Sequence, residues 1–441
     1  IKMFKETSKE LLNFLSKSPT AFHAVENYRQ ILNADGFKEL LESEHWDIVP
    51  GGKYYVTRNN TSILAFKVGT KLDNYSFNIV TSHTDSPTFK VKENAEIEVK
   101  NKYTQLNTEG YGGMLCATWL DRPLSIAGRV LVSEGNSIVT KLLNIDRDLL
   151  MIPNVAIHMN RAANDGFKYN LQVDMLPLLS GGDDRQKDFK QIIADELGVK
   201  KEDILGHDLY LYNRMAPSIW GANEEFISAG HLDDLQCGFA SLKALLAGYN
   251  DESIDIMACF DNEEVGSGTK QGADSTLLRD TLIRINNALG KTEEDYHRAL
   301  ASSFMLSADN AHAVHPNHPE HTDVTNCTYM NEGVVVKSHA GQKYTSDGVS
   351  MAVVKSLASG ADVPLQYFAN RSDKAGGSTL GNIAMAQASM NAVDIGLPQL
   401  AMHSSYETAG IKDTYYAIAL MKALFDSHIQ ETSTHSLEIK R

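Results

Sequence analysis

The sequence predicts an α/β fold of three layers, αβα, interrupted by a mainly β insertion, and three observations carry that prediction. Short apolar runs alternate with amphipathic helical segments toward both ends of the chain, the pattern of strands buried in a mixed or parallel sheet. Residues 93 to 228 read differently, as β-prone runs separated by turn clusters. At 441 residues the chain is also too long for one compact core.

Taken in order, Ser8-Lys-Glu-Leu-Leu-Asn-Phe-Leu places apolar residues at helical spacing, and Ala21 to Leu32 does so again before Gly36. Ser62 to Val68 and Ser76 to Val80 are strand-like. The insertion carries β-prone runs at Ile97 to Lys100, Ser125 to Val132, Ser137 to Leu143 and Asp208 to Tyr212, with one helix at Lys187 to Leu197. Beyond it, helices are predicted at Gly238 to Tyr249 and Thr379 to Asn391, and buried strands at Ile254 to Phe260, Phe304 to Ser307 and Gln399 to Met402. The predicted organisation is one domain split between residues 1–92 and 229–441, with residues 93–228 threaded into it.

Composition narrows function by exclusion. With 56 acidic against 41 basic residues the formal net charge is −15, a field that repels nucleic acid and anionic membrane surfaces. The opening residues lack the apolar core of a signal peptide, and no apolar run is long enough to cross a bilayer. A soluble, cytoplasmic protein is the expectation. Cys116, Cys237, Cys259 and Cys327 lie far apart with no C-x-x-C pair, which argues for reduced thiols and against a thiolate zinc site.

Five polar clusters each follow or border an apolar run: Thr81-Ser-His83-Thr-Asp85-Ser-Pro87, His231-Leu-Asp233-Asp234-Leu235, Asp261-Asn-Glu263-Glu264-Val-Gly266-Ser267, Ser307-Ala-Asp309-Asn-Ala-His312 and Met402-His403-Ser404. In open α/β sheets the carboxyl ends of strands form the crevice where ligands bind, and four of the five sit just past such an end. Each alone is weak: H-x-D is usually a surface turn, Glu263-Glu264 a solvated loop, and Asp233-Asp234 an N-cap. Together, imidazoles and carboxylates are what a pair of zinc ions about 3.5–4 Å apart requires. Asp85, two residues past His83, suits the other ring N–H of that histidine. Of two adjacent glutamates, one can bind metal while the other serves as general base. Zincin, nucleophile-elbow and phosphate-loop motifs are absent.

These motifs resemble the aspartyl aminopeptidase family, which includes vacuolar aminopeptidase I. The similarity covers nearly the whole chain and adds Ala156-Ile-His158-Met-Asn160-Arg161 and His312-Ala-Val-His315-Pro-Asn317 in the same order. The resemblance implies a zinc-peptidase-like catalytic domain that removes N-terminal residues from peptides. Asp233 would bridge two zinc ions, with His83 and Asp309 completing one site, Glu264 and His403 the other, and cobalt or manganese able to replace one ion. Glu263 would be the base and Asp85 its catalytic companion. The insertion becomes a dimerisation domain, building a homo-oligomer of dimers in a tetrahedral dodecamer, with His158 reaching a neighbouring subunit's site. Lys337 matches a side-chain-pocket lysine that favours Asp or Glu at the peptide's N-terminus. Where the family usually has asparagine this chain has Asp234, read as a solvated helix start.

His312, His315, His318 and His321 recur every third residue, but Pro316 and Pro319 break any helix that would align them. The prediction is a loop beside the site, with His312 and His315 lining the substrate pocket. Three alternatives stay open: an aminopeptidase for neutral residues, a carboxypeptidase or deacylase on the same dimetal core, and a non-catalytic metal scaffold.

Overall fold

The computed structural model describes all 441 residues. Helices α1 (Lys2–Ser16) and α2 (Ala21–Ala34) open the chain, and Thr20 caps α2 by accepting the His23 N–H. Four strands follow: β1 (Lys38–Leu40), β2 (Lys53–Arg58), β3 (Ser62–Val68) and β4 (Ser76–His83). The next six are β5 (Thr88–Val99), β6 (Tyr103–Tyr111), β7 (Leu124–Glu134), β8 (Ser137–Asn144), β9 (Leu178–Gly181) and β10 (Ile204–Asn213), with α3 (Phe189–Leu197) before β10.

Two short strands, β11 (Ser218–Trp220) and β12 (Phe226–Ala229), lead into α4 (Leu232–Ala247) and β13 (Ser253–Phe260). Then come α5 (Leu277–Ala288), α6 (Glu293–Ser302), β14 (Phe304–Ala308), β15 (Ala311–His312) and β16 (Val334–Lys337). The chain ends through α7 (Gly348–Ala361), β17 (Leu365–Phe368), α8 (Leu380–Met385), β18 (Asn391–Gly396), β19 (Pro398–Leu400), β20 (Glu407–Gly410), α9 (Asp413–Phe425) and the hairpin β21 (His428–Ser433) and β22 (Ser436–Lys440).

The central sheet has nine strands in the order β1-β2-β3-β13-β4-β14-β18-β16-β17. Its middle strands β13, β4, β14 and β18 run parallel, and every residue of β4, β13 and β14 is buried. Burial on both faces explains why these strands read as mainly apolar runs rather than alternating ones, the buried exceptions Asn78 and Asp255 being hydrogen-bonded to each other. One face packs Val80, Met257 and Leu306 against α4 and α9; the other packs Ile79, Ile256 and Met305 against Leu278 and Leu282 of α5 and Tyr296 of α6. Three layers result.

A separate antiparallel sheet, β8-β7-β10-β5-β6-β9, encloses its own apolar core around Phe89, Trp119, Ile126 and Leu209. Its strands span Thr88 to Asn213, so its edges differ from residues 93–228. At the far edge, β11 and β12 join a third sheet, β11-β12-β20-β19-β15, because β12 hydrogen-bonds β20 from Phe226 to Ala229. Two readings of single elements are corrected. The helix over Thr379 to Asn391 stops at Met385, and Asn391 opens β18 in the central sheet. The strand expected at Gln399 to Met402 is β19, which ends at Leu400 and belongs to the small third sheet.

Candidate metal centre

Three parallel strand ends and one small sheet converge on a single point. His83 is the last residue of β4, Glu263 and Glu264 form a 3-10 turn just past β13, and Asp309 follows β14. Because β13 and β14 flank β4 in parallel register, with Phe260 opposite His83 and Ser307 opposite Thr81, these three ends emerge side by side. The third sheet supplies the remainder: Asp233 lies just past β12, and His403 sits between β19 and β20.

Each turn has a local cause. Asn262 takes a left-handed conformation (φ 60°), which asparagine tolerates, and its side chain accepts hydrogen bonds from Thr269 and Gln271 at 2.8 Å each. His403 is also left-handed (φ 71°) and His231 likewise (φ 64°). Asp233 and Asp234 depart from helical geometry at the start of α4 and are joined by a cis peptide.

His83 Nε2 lies 3.4 Å from Asp233 Oδ1, 3.3 Å from Asp309 Oδ1, 3.5 Å from Glu263 Oε2 and 3.7 Å from Glu264 Oε1. His403 Nε2 lies 3.3 Å from Asp233 Oδ2 and 3.2 Å from Glu264 Oε2. Donor atoms about 2.0–2.2 Å from one tetrahedral zinc stand roughly 3.3–3.6 Å apart, so these spacings fit metal ligation. Both rings are turned to leave Nε2 free: His83 Nδ1–H donates to the Asp85 carbonyl at 3.0 Å, and His403 Nδ1–H to the Gly113 carbonyl at 3.0 Å. His83 Nε2 and Asp233 Oδ1 are buried with no hydrogen-bond partner, a costly arrangement that cations between them would relieve. Asp233, with one oxygen toward each histidine, has the geometry of a bridge.

The carboxylates crowd one another. Burial, with Asp309 and Glu264 alongside, pushes the Glu263 carboxyl up to about 10, and burial with Asp233 pushes Glu264 up to about 7. Burial opposes a charged His403, but the Asp233 and Glu264 carboxylates beside its Nε2 outweigh it and raise the imidazole to about 11. His83 is likewise raised, its burial outweighed by Glu263 and Asp309. Without metal such a site holds protons where cations would sit.

Three buried carboxylates hold the ligand-bearing backbone. Asp85 accepts the N–H groups of Glu263 (3.2 Å) and Glu264 (3.0 Å) and, through its other contacts, His83 Nδ1 and the Tyr111 hydroxyl (2.7 Å). Glu407 accepts those of Asp233 (3.0 Å) and His403 (2.8 Å). Asp234 accepts that of His83 at 3.0 Å and is fully buried, which overturns its reading as a solvated helix start. Its carboxyl is raised well above the usual range by burial and by Asp309. Sequence reasoning missed Glu407 and Tyr111 entirely. It also missed Gly112, which runs at φ +74° so close to the turn after β13 that an added Cβ would stand 3.1 Å from Glu264 Cβ.

The cluster opens into a cavity of about 360 Å³ whose walls include His312, Lys337, Tyr344, Phe368 and Thr379. Lys337 is buried at the end of β16; its ammonium donates to the carbonyls of Asp309 (2.6 Å) and Asn310 (3.0 Å). Burial disfavours that charge, but Asp309 outweighs it and keeps the amine protonated. His315 does not line this cavity, and neither does His158, which lies exposed in the insertion on the turn Ile157–Met159.

A cluster of metal-ligating side chains at the strand ends of a three-layer αβα fold, matched by a zinc metalloprotease family model, places the chain in the class of metallopeptidases. The chain matches the aminopeptidase I zinc metalloprotease (M18) family over residues 14–425. A probable M18 family aminopeptidase 2 of Clostridium novyi is 47% identical over 425 residues, covering 95% of this chain and 98% of the relative. Among solved structures, mApe1 of Chaetomium thermophilum superposes with a TM-score of 0.86 at 30% identity, over 96% of this chain and 98% of that one. The S. cerevisiae mApe1 dodecamer gives 0.84 at 27% identity, over 96% and 97%. This chain belongs to the M18 family of zinc metallo-aminopeptidases, and no helix in it is long and apolar enough to cross a membrane.

Proposed function

We propose that this aminopeptidase removes acidic residues, Asp or Glu, from peptide N-termini, using two zinc ions per subunit. His83, Asp233 and Asp309 would hold one ion, and Asp233, Glu264 and His403 the other. Bound there, the ions supply Lewis-acid polarisation of the first peptide carbonyl and lower the pKa of the attacking water. Glu263 takes a proton from that water as its oxygen bonds to the first peptide carbonyl carbon, and passes the proton to the leaving amine as the C–N bond breaks. Asp85 fixes the Glu263 backbone and the His83 ring, so it positions these groups and does not itself react. A free α-amine suits an end of the cavity so rich in carboxylates.

The observation that carries the reading is the cluster of unpartnered His83 Nε2 and Asp233 Oδ1 beside Glu263, opening into a cavity that also holds the charged Lys337. Lys337 supports the acidic preference, since a charge-assisted contact to a side-chain carboxylate is among the stronger hydrogen bonds. The experiment is a panel of Asp-, Glu- and Leu-terminal dipeptides with N-acylated controls. Fastest turnover of the acidic, free-amine members is expected; equal turnover of Leu-terminal peptides sinks the preference, and cleavage of acylated ones sinks the aminopeptidase reading.

Assembly is proposed through the insertion. The segment around His158 exposes Val155, Ile157, Met159 and Val173, an apolar surface suited to a second copy of the chain. His158 would thereby approach a neighbour's cavity, and the dodecamer seen for the yeast relative is the proposed form, with tetrahedral packing of dimers. A cytoplasmic location agrees with the acidic charge and free thiols.

A further inference from the structure

Between β15 and β16 runs a repeat that the peptidase site does not use: His315-Pro316-Asn317-His318-Pro319-Glu320-His321, two His-Pro-x triplets closed by a third histidine. The prolines were expected to prevent alignment of the imidazoles. They do the reverse. Each proline takes the second position of a turn, where its fixed φ is favoured. The turns close through the His318 N–H to the His315 carbonyl (3.0 Å) and the His321 N–H to the His318 carbonyl (3.2 Å). Residues three apart then stand one above another, as in a 3-10 helix, which Pro319–His321 forms.

The result is a column of rings. His315 and His318 have centroids 5.8 Å apart, and His318 and His321 are 5.1 Å apart at an interplanar angle of 24°. The Glu320 carboxylate reaches His318 Nδ1 at 2.9 Å. One ligand atom from each of His318, Glu320 and His321 lies within 4.8 Å of the others, and all three side chains are exposed. His315 is spent differently, since its Nδ1 accepts the Asn317 N–H at 3.1 Å.

We propose that His318, Glu320 and His321 form a surface site for a single divalent transition-metal ion of the kind that prefers imidazole: zinc, copper or nickel. It is separate from the paired-metal centre, because none of the three residues lines the catalytic cavity. Two imidazoles and one carboxylate leave further positions open to water, as in zinc sites with three protein ligands. The turn is already ordered. Two prolines restrict it, Thr322 Oγ1–H donates to the Pro319 carbonyl at 2.8 Å, and Arg371 donates to the Glu320 carbonyl. Binding therefore costs little chain entropy.

The test compares the full-length enzyme with a His318→Ala/His321→Ala double variant after equilibrium dialysis against zinc, followed by metal analysis. The wild type is expected to hold one ion more per chain than the variant, with peptidase activity the same in both. Copper(II) added to zinc-loaded enzyme provides a second readout: nitrogen hyperfine structure in its electron paramagnetic resonance spectrum, present in the wild type and lost in the variant. Equal zinc content in the two proteins, or a copper spectrum unchanged by the substitutions, overturns the site. Because the comparison rests on a difference of one ion, it stands or falls independently of how many ions the catalytic centre takes.

Discussion

Glu407 never faces the substrate cavity, yet changing it to glutamine should loosen the metals. Its carboxylate accepts two backbone N–H groups, from Asp233 at 3.0 Å and His403 at 2.8 Å, and so fixes the proposed bridging residue to a proposed ligand 170 positions away. Glutamine keeps the shape and one oxygen but turns an amide NH2 toward a backbone donor. One charge-assisted hydrogen bond is lost, worth about 1.5–3 kcal/mol, and the donor it served is left facing another donor. His403 holds a left-handed conformation (φ 71°), which for a residue with a Cβ costs about 1–2 kcal/mol, so it is the element that relaxes. The expected outcome is a fall in zinc affinity of roughly 10- to 100-fold, the range found when partners of metal ligands are removed. Competition against a chromophoric chelator measures it directly. At saturating zinc, kcat should stay within a fewfold of the parent, since Glu263 is untouched. Zinc affinity within twofold of the parent, in a protein with an unchanged circular dichroism spectrum, refutes the reasoning.

Three further outcomes are expected. Glu263→Gln should lower kcat by roughly 10²- to 10⁴-fold with both metals retained on metal analysis, because it removes only proton transfer. Lys337→Met should reduce the kcat/KM ratio of Asp- to Leu-terminal dipeptides by roughly 10- to 100-fold, the worth of one charge-assisted contact. Metal-free enzyme should lose thermal stability as pH rises. Glu264 and Glu263 are raised to about 7 and about 10, above their unfolded 4.5, so the folded chain retains protons that the unfolded chain has released, a cost that grows from about pH 4.5 until each folded carboxyl ionises. His403, raised to about 11 from 6.5, adds stability that is whole below pH 6.5 and declines toward 11. Glu263 and His403 act in one direction between pH 6 and 9, Glu264 adds to them up to about pH 7, and zinc should abolish the slope by replacing the protons; a metal-free Tm that climbs over that range rules this out.

What could be read beforehand followed from burial on two faces. Strands β4, β13 and β14 are closed in by helices on both sides, so Phe77 to Val80, Ile254 to Phe260 and Phe304 to Leu306 stand out as mainly apolar runs, interrupted only by Asn78 and Asp255. The polar residue ending each run was then conspicuous, which is how His83, Glu263, Glu264 and Asp309 were found. The third sheet was hidden because strands of two to four residues carry no periodicity, and that sheet is what brings Asp233 and His403 to the others. β18 was hidden because only two apolar residues, Ala392 and Val393, stand together in it before the charged Asp394. Asp394 is fully buried because the hydroxyls of Thr345 and Thr379, 49 and 15 positions away, donate to it. Nothing local distinguishes such a carboxylate from an exposed one, and the same holds for Asp234 and Glu407.

The strand that brings Tyr111, Gly112 and Gly113 over the centre belongs to the sheet spanning Thr88 to Asn213, not to the sheet that carries the ligands. One of its carbonyls orients His403 and one of its hydroxyls braces Asp85. Excising that sheet would thus dismantle the chemistry along with whatever surface it offers. It also means that a growing chain stays harmless: until the segment bearing His403 has left the ribosome and closed against a finished insertion, no part of the polypeptide can cut a peptide bond, its own included.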